Sequence, residues 1–183
     1  MKALIIGDSF SADNQGWPGL LGHDVVNRSQ KGVGEYKIYK QSKSNDLFDF
    51  TIVCHTSPYR IHTPKHPIHS KNLDRPACDF LLSDIDYHSK NNSSMKLVKK
   101  YWDKYYDFEY QEDIYRLLVS KLYRLPNSIH ITFHETASDV VENNLSHIWK
   151  KHPGNINHLD VQGNKLVAKN LEKIIEKSVN YAQ

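Results

Sequence analysis

Cysteine is scarce in this chain. Cys54 and Cys78 are its only two, too few to staple a small fold, and neither lies in a Cys-x-x-Cys pair. Long apolar runs are missing as well. No stretch approaches the roughly 20 residues of a membrane-spanning helix. The apolar residues before Gly7-Asp8 are too few for a secretory signal core, so the expectation is a cytoplasmic protein without a membrane partner. Charge of one sign is not in excess either. A net charge of +3 provides no basic stripe, so no nucleic-acid partner is expected, and any anion binding must come from particular residues. With 8 glycines and 7 prolines, collagen-like and low-complexity architectures are excluded. What remains is a 183-residue chain, 39% hydrophobic. That suits a single domain over 1–183 with one well-buried core.

Ala3–Ile6 is a continuous apolar run stopping at Gly7-Asp8-Ser9. This is the pattern of a parallel strand buried on both faces and ending at a sheet rim. Further strands are expected at Asp24–Val26, Phe50–Cys54 and Ile129–Phe133. Pro18 opens a short helix over Trp17–Leu21. Longer helices are expected over Glu35–Gln41, Ser93–Tyr106, Glu112–Leu122 and 162–179. In Glu112–Leu122 the apolar stripe runs through Ile114, Leu117, Leu118, Lys121 and Leu122. In the aromatic-basic run from Lys99, the spacing turns Tyr101, Tyr105 and Phe108 inward and leaves Trp102 outside, a packing role rather than base stacking. The segment 58–92 holds Pro58, Pro64, Pro67 and Pro76 with little periodicity, and reads as an irregular loop insertion. Strands alternating with helices imply an α/β fold with a mostly parallel sheet of about five strands. Function then gathers at the carboxyl edge, where Ser9, Gly32 and Ser57 all fall.

A serine becomes a nucleophile only beside a base, and neutral imidazole is the usual one. Ser9 follows the first strand directly, and His158 stands just before the last helix. Each has a plainer alternative: Ser9 as a turn or cap serine, and His158 as a loop residue beside a capping Asp160. His62, His66 and His69 have metal-like spacing. However, Pro64 and Pro67 prevent a single helical face and the run contains no carboxylate, so a polar loop lining the cleft is expected, with no metal. Arg60, three residues past Ser57, can fork onto a substrate carboxylate or phosphate. Together with the rim histidines it also allows a phosphate-handling protein. Glu135, after the Phe133 strand, is a candidate carboxylate for His158.

Gly7-Asp8-Ser9-Phe10-Ser11, with Trp17-Pro18 and Leu20-Leu21, resembles the first block of the SGNH (GDSL-like) hydrolases. Asn27 through Gly32 resembles the second block, and His158-Leu-Asp-Val-Gln-Gly163 the fifth, in the family's order along nearly the whole chain. The resemblance implies a three-layer α/β/α, flavodoxin-like fold. It also implies esterase, lipase or carbohydrate-deacetylase chemistry on a small-molecule or carbohydrate ester, without a metal or organic cofactor. In that reading Ser9, His158 and Asn155 form the catalytic set. The N–H groups of Ser9 and Gly32, with Ser57, form the oxyanion hole, and Asp8, Arg60 and His55 are the candidate substrate contacts. Two positions depart from the family's pattern. Ser57 stands where the third block has asparagine, a shorter and freely rotating donor, and loss of one such donor costs on the order of 10²–10³ in rate. Asn155 stands where the fifth block has aspartate; in a serine-protease triad that exchange lowers kcat by about 10⁴. The departures favour an alternative: a catalytically weakened or inactive SGNH-like domain binding a glycan or other ligand in the same cleft.

Overall fold

Alternation within the first strand builds the layers. In the computed structural model, which describes residues 1–43, 47–155 and 158–180, β1 spans Lys2–Gly7. Ala3 and Ile5 point to one face and Leu4 and Ile6 to the other, and all four are at most 3% exposed. A strand apolar on both faces must be covered on both. The Ala3/Ile5 face packs with Ile52, Ile131, Phe133, Val167 and Leu171. The Leu4/Ile6 face packs with Val33, Ile38, Val53 and Leu122.

Four strands join β1: β2 (Asp24–Asn27), β3 (Phe50–His55), β4 (Ser128–Thr132) and β5 (Asn143–Asn144). All pairings are parallel, in the order β2-β1-β3-β4-β5. This is the flavodoxin-like α/β order, in which the direction of winding reverses beside β1 and opens a crevice at the carboxyl edge. The expected fold class is therefore observed. One cover is α1 (Glu35–Gln41) with α4 (Phe108–Leu122); the other is α5 (Ser146–Lys151) with α6 (Val161–Asn180). Among the described residues no helix is long and apolar enough to cross a membrane.

Several local expectations change. Segment 58–92 is not wholly irregular: Ile61 and Phe80 form an antiparallel bridge, and α2 covers Leu82–His88. With α3 (Ser93–Tyr105) it builds a satellite core around Ile85, Met95 and Trp102. Trp102 is therefore buried, while Tyr101, Tyr105 and Phe108 are exposed. The inward face of α3 is set by Met95 and Trp102, seven residues apart, and not by the tyrosines. Helix α4 starts four residues earlier than expected because Asp107 caps it through the Tyr110 N–H at 3.0 Å. Its buried stripe is Tyr115, Val119 and Leu122, leaving Leu117 exposed. Strand β5 and helix α5 carry no pattern that announces them.

Below the carboxyl edge runs a buried polar chain. Glu35 Oε1 meets His55 Nδ1 at 2.6 Å, His55 Nε2 meets His130 Nδ1 at 2.8 Å, and His130 Nε2 meets Ser128 Oγ at 2.8 Å. Burial, with His55 beside it, pushes the His130 imidazole down to about 3, so it stays neutral. Glu35 also accepts the Thr56 N–H at 3.3 Å, tying α1 to the end of β3. Breaking such a pair strands a buried group. Glu35→Ala is expected to cost about 3–5 kcal/mol, measured by urea unfolding. A loss below about 1 kcal/mol would mean that the chain is not an organising element.

Candidate active site

The turn after β1 is made by Asp8, whose backbone oxygen accepts the Ser11 N–H at 3.2 Å and whose Oδ1 accepts the Phe10 N–H at 3.0 Å. Gly7 must be glycine, since a Cβ there would lie 2.6 Å from Cys54 Cβ. This turn presents Ser9 at the rim, lining a cavity of about 400 Å³. Ser9 and His158 also line a second, neighbouring cavity of about 780 Å³, so the pair stands where the two adjoin.

His158 arrives from the opposite end of the chain. Its carbonyl accepts the Gly154 N–H at 2.5 Å and its N–H donates to Asn155 O at 3.3 Å. A bridge between Pro153 and Leu159 closes the loop, and Asp160 Oδ1 accepts the Gly163 N–H at 2.6 Å, capping α6. The imidazole is half-buried, edge-on to Phe10 at 5.6 Å. Phe10 in turn stacks on Phe133 at 4.6 Å. Burial above all, then the cations Lys31 and Arg75, lower the His158 pKa from its ordinary 6.5, opposed by Asp8 and Asp13. Its neutral, proton-accepting form is thereby favoured.

Gly32 faces the same cavity with φ of 78°, a left-handed conformation that favours glycine. A Cβ there would lie 2.5 Å from Cys78 Sγ. Its carbonyl accepts from Asp79 N at 2.9 Å and from Arg60 at 3.2 Å. Among the described residues nothing accepts the N–H of Gly32 or of Ser9. Arg60 lines the cavity and is steadied by Thr56 Oγ1 at 3.2 Å. Cys78 also borders it, but burial raises its thiol pKa, which keeps it from competing as a thiolate nucleophile.

Other expected site residues lie elsewhere. His55 is fully buried in the Glu35 chain and does not line the cavity, so it cannot meet a substrate there. Ser57 is also outside the lining, its Oγ accepting the Tyr59 N–H at 3.4 Å. Asn155 is exposed and borders only the second cavity. It reaches His158 through its backbone, and the two residues between them lie outside the described residues. Glu135 pairs with Lys150 on the surface and lines neither cavity that His158 borders. His62 turns to Asp79 at 3.3 Å, whereas His66 and His69 converge on Asp84 at 3.1 and 3.0 Å. The run therefore does find a carboxylate, from α2.

Sequence reasoning undervalued Asp8 and His134. Asp8 is 1% exposed and His134 Nε2 lies 3.5 Å from its Oδ2. Burial by itself raises the Asp8 pKa. His134, Arg60 and the Phe10 N–H outweigh it, and the net shift is downward. The site thus keeps a buried carboxylate beside the His134 imidazole.

No family model matches the chain, and no curated protein matches it. Among solved structures it is similar to a protein described as lipolytic and of the G-D-S-L family, from Desulfitobacterium hafniense. The two are 18% identical with a TM-score of 0.40, over 94% of this chain and 98% of the other. The fold assignment rests on the sheet order itself.

Gly32→Ala combines left-handed strain with the Cys78 clash, so a loss of roughly 1–3 kcal/mol is expected. Adding Cys78→Ala should restore part of it. Strictly additive losses in thermal unfolding would show that the two side chains do not meet.

Proposed function

We propose that this protein is a serine ester hydrolase that removes an acyl or acetyl group from a carbohydrate or small metabolite. The observation carrying this reading is that Ser9 and His158 line one cavity with Gly32, while the N–H groups of Ser9 and Gly32 have no acceptor among the described residues. Ser9 Oγ attacks the ester carbonyl as His158 takes its proton. The tetrahedral oxyanion is stabilised by those two N–H groups. His158 then returns the proton to the leaving alcohol, and water repeats the sequence on the acyl-enzyme. The two adjoining cavities suit a substrate with distinct acyl and alcohol parts. With Ser57 turned away, the oxyanion hole in this reading has two donors. The carboxylates acting on His158 are Asp8 and, less strongly, Asp13, both through space, with Asn155 contributing backbone alone.

Ser9→Ala should abolish labelling by an activated-serine probe, and His158→Ala should lower p-nitrophenyl acetate turnover by about 10²–10⁴. Because the base works deprotonated and its pKa is lowered, the acid limb of kcat/KM should have its midpoint below 6.5. Lys31→Ala or Arg75→Ala removes a charge that disfavours imidazolium, so each should move that midpoint upward. A midpoint unmoved by either would separate His158 from the titration.

One observation favours a second reading, a glycan-binding domain with weak or no catalysis. Among the described residues no side chain is hydrogen-bonded to the His158 ring. In that case wild type is unlabelled by the probe at any pH, yet binds an acetylated oligosaccharide saturably. Asn155→Asp should then leave turnover unchanged.

A further inference from the structure

Apart from the Ser9–His158 pair, a group of imidazoles surrounds one carboxylate at the far wall of the cavity. His66 and His69 come from the turn after Pro64, and Asp84 and His88 lie one turn apart on α2. The sequence brings a His-x₂-His pair, a spacing that zinc sites use, to an aspartate on α2. His66 Nε2 is 3.1 Å from Asp84 Oδ2, His69 Nε2 is 3.0 Å from Oδ1, and His88 Nε2 is 3.5 Å from Oδ1. Donors about 2.0–2.1 Å from a tetrahedral ion stand roughly 3.3–3.4 Å from one another, a little more than the His66 and His69 separations from the two Asp84 oxygens. One donor atom each from His66, His69 and Asp84 falls within 4.8 Å of the others.

The geometry points to a binding site for a zinc-class divalent ion, held by His66, His69 and Asp84 and leaving the fourth position of the ion to water.

Hydrogen bonding leaves a gap at this place. His66 is fully buried, yet its Nε2 and Asp84 Oδ2 have no hydrogen-bond partner, although they lie side by side. At 3.1 Å they make an ion contact without hydrogen-bond geometry. A cation bound to both would satisfy both. His66 Nδ1 accepts the Ile68 and His69 N–H groups, each at 3.2 Å. Coordination through Nε2 moves the ring proton to Nδ1 and gives up these two long, shared contacts. Imidazole-rich donor sets select zinc over magnesium or calcium. The satellite core of this segment is small, and a metal joining the 66–69 turn to α2 would fasten the wall in which His69 and Asp84 face the cavity.

The test uses the untagged full chain, stripped with EDTA and given Zn²⁺ alone. Expected are one zinc retained per chain after gel filtration, a higher melting temperature, and tetrahedral d–d absorption when Co²⁺ replaces it, with excess Mg²⁺ having no effect. Asp84→Asn and His69→Gln, checked for folding by far-UV circular dichroism, should each weaken zinc by more than the roughly 10–100-fold that an outer-shell loss costs. His62→Gln, whose imidazole faces Asp79 instead, should bind as wild type does. A folded wild type retaining no zinc would overturn the site, as would full retention in both Asp84→Asn and His69→Gln. Either result is independent of Ser9 labelling, so the hydrolase reading stands or falls separately.

Discussion

The structure depends on one constraint: a central strand that is apolar on both faces cannot be left half covered. Ala3–Ile6 requires helices above and below. Those helices force right-handed crossovers between parallel strands, and the crossovers bring every strand's carboxyl end to one rim. Ser9, Gly32 and Arg60 are all carried there by this arrangement. The position of the cavity is a consequence of where β1 runs out of apolar residues.

Polar groups near this rim are held in buried arrangements rather than left to solvent. Asp79 is fully buried and receives the Gly34 N–H at 2.7 Å, the Thr63 N–H at 2.8 Å and Lys37 at 2.7 Å. It thereby pins the 58–92 segment to the start of α1. Glu35 does the same between α1 and β3. The buried Asp79 charge is paired with Lys37, which is the condition under which burial is tolerable. The two pins leave the Gly32 loop, which lines the cavity, little freedom.

Much of this was legible in the sequence, for identifiable reasons. β1 and β3 announce themselves as unbroken apolar runs, and α6 by its periodic Val167, Leu171 and Ile175. Ser9 and His158 could be placed at the rim because strand ends are readable from Gly7 and from the start of a helix. What could not be read depends on three-dimensional partners. β5 is two asparagines, with no pattern to see. The faces of α3 and α4 were rotated because several apolar residues compete for the inside and only packing partners decide. His55 follows a strand as a site residue would, yet the Glu35 side chain draws it into the core. Asp84 lies outside the histidine run that it joins, so no local scan of that run finds it.

Trp17 shows what the joining of the two ends implies. Its indole N–H donates to Phe10 O at 2.8 Å, and its backbone N–H donates to Asn164 Oδ1 at 2.8 Å, across 147 residues of sequence. The loop carrying Ser9 is thus fastened to the helix that follows His158. On a ribosome the serine emerges early and the imidazole late. The pair cannot form until nearly all the intervening chain has been made, and contacts of such separation close slowly. A half-made chain would therefore carry an exposed Ser9 loop, and the cavity it shares with His158 would be complete only as folding finishes.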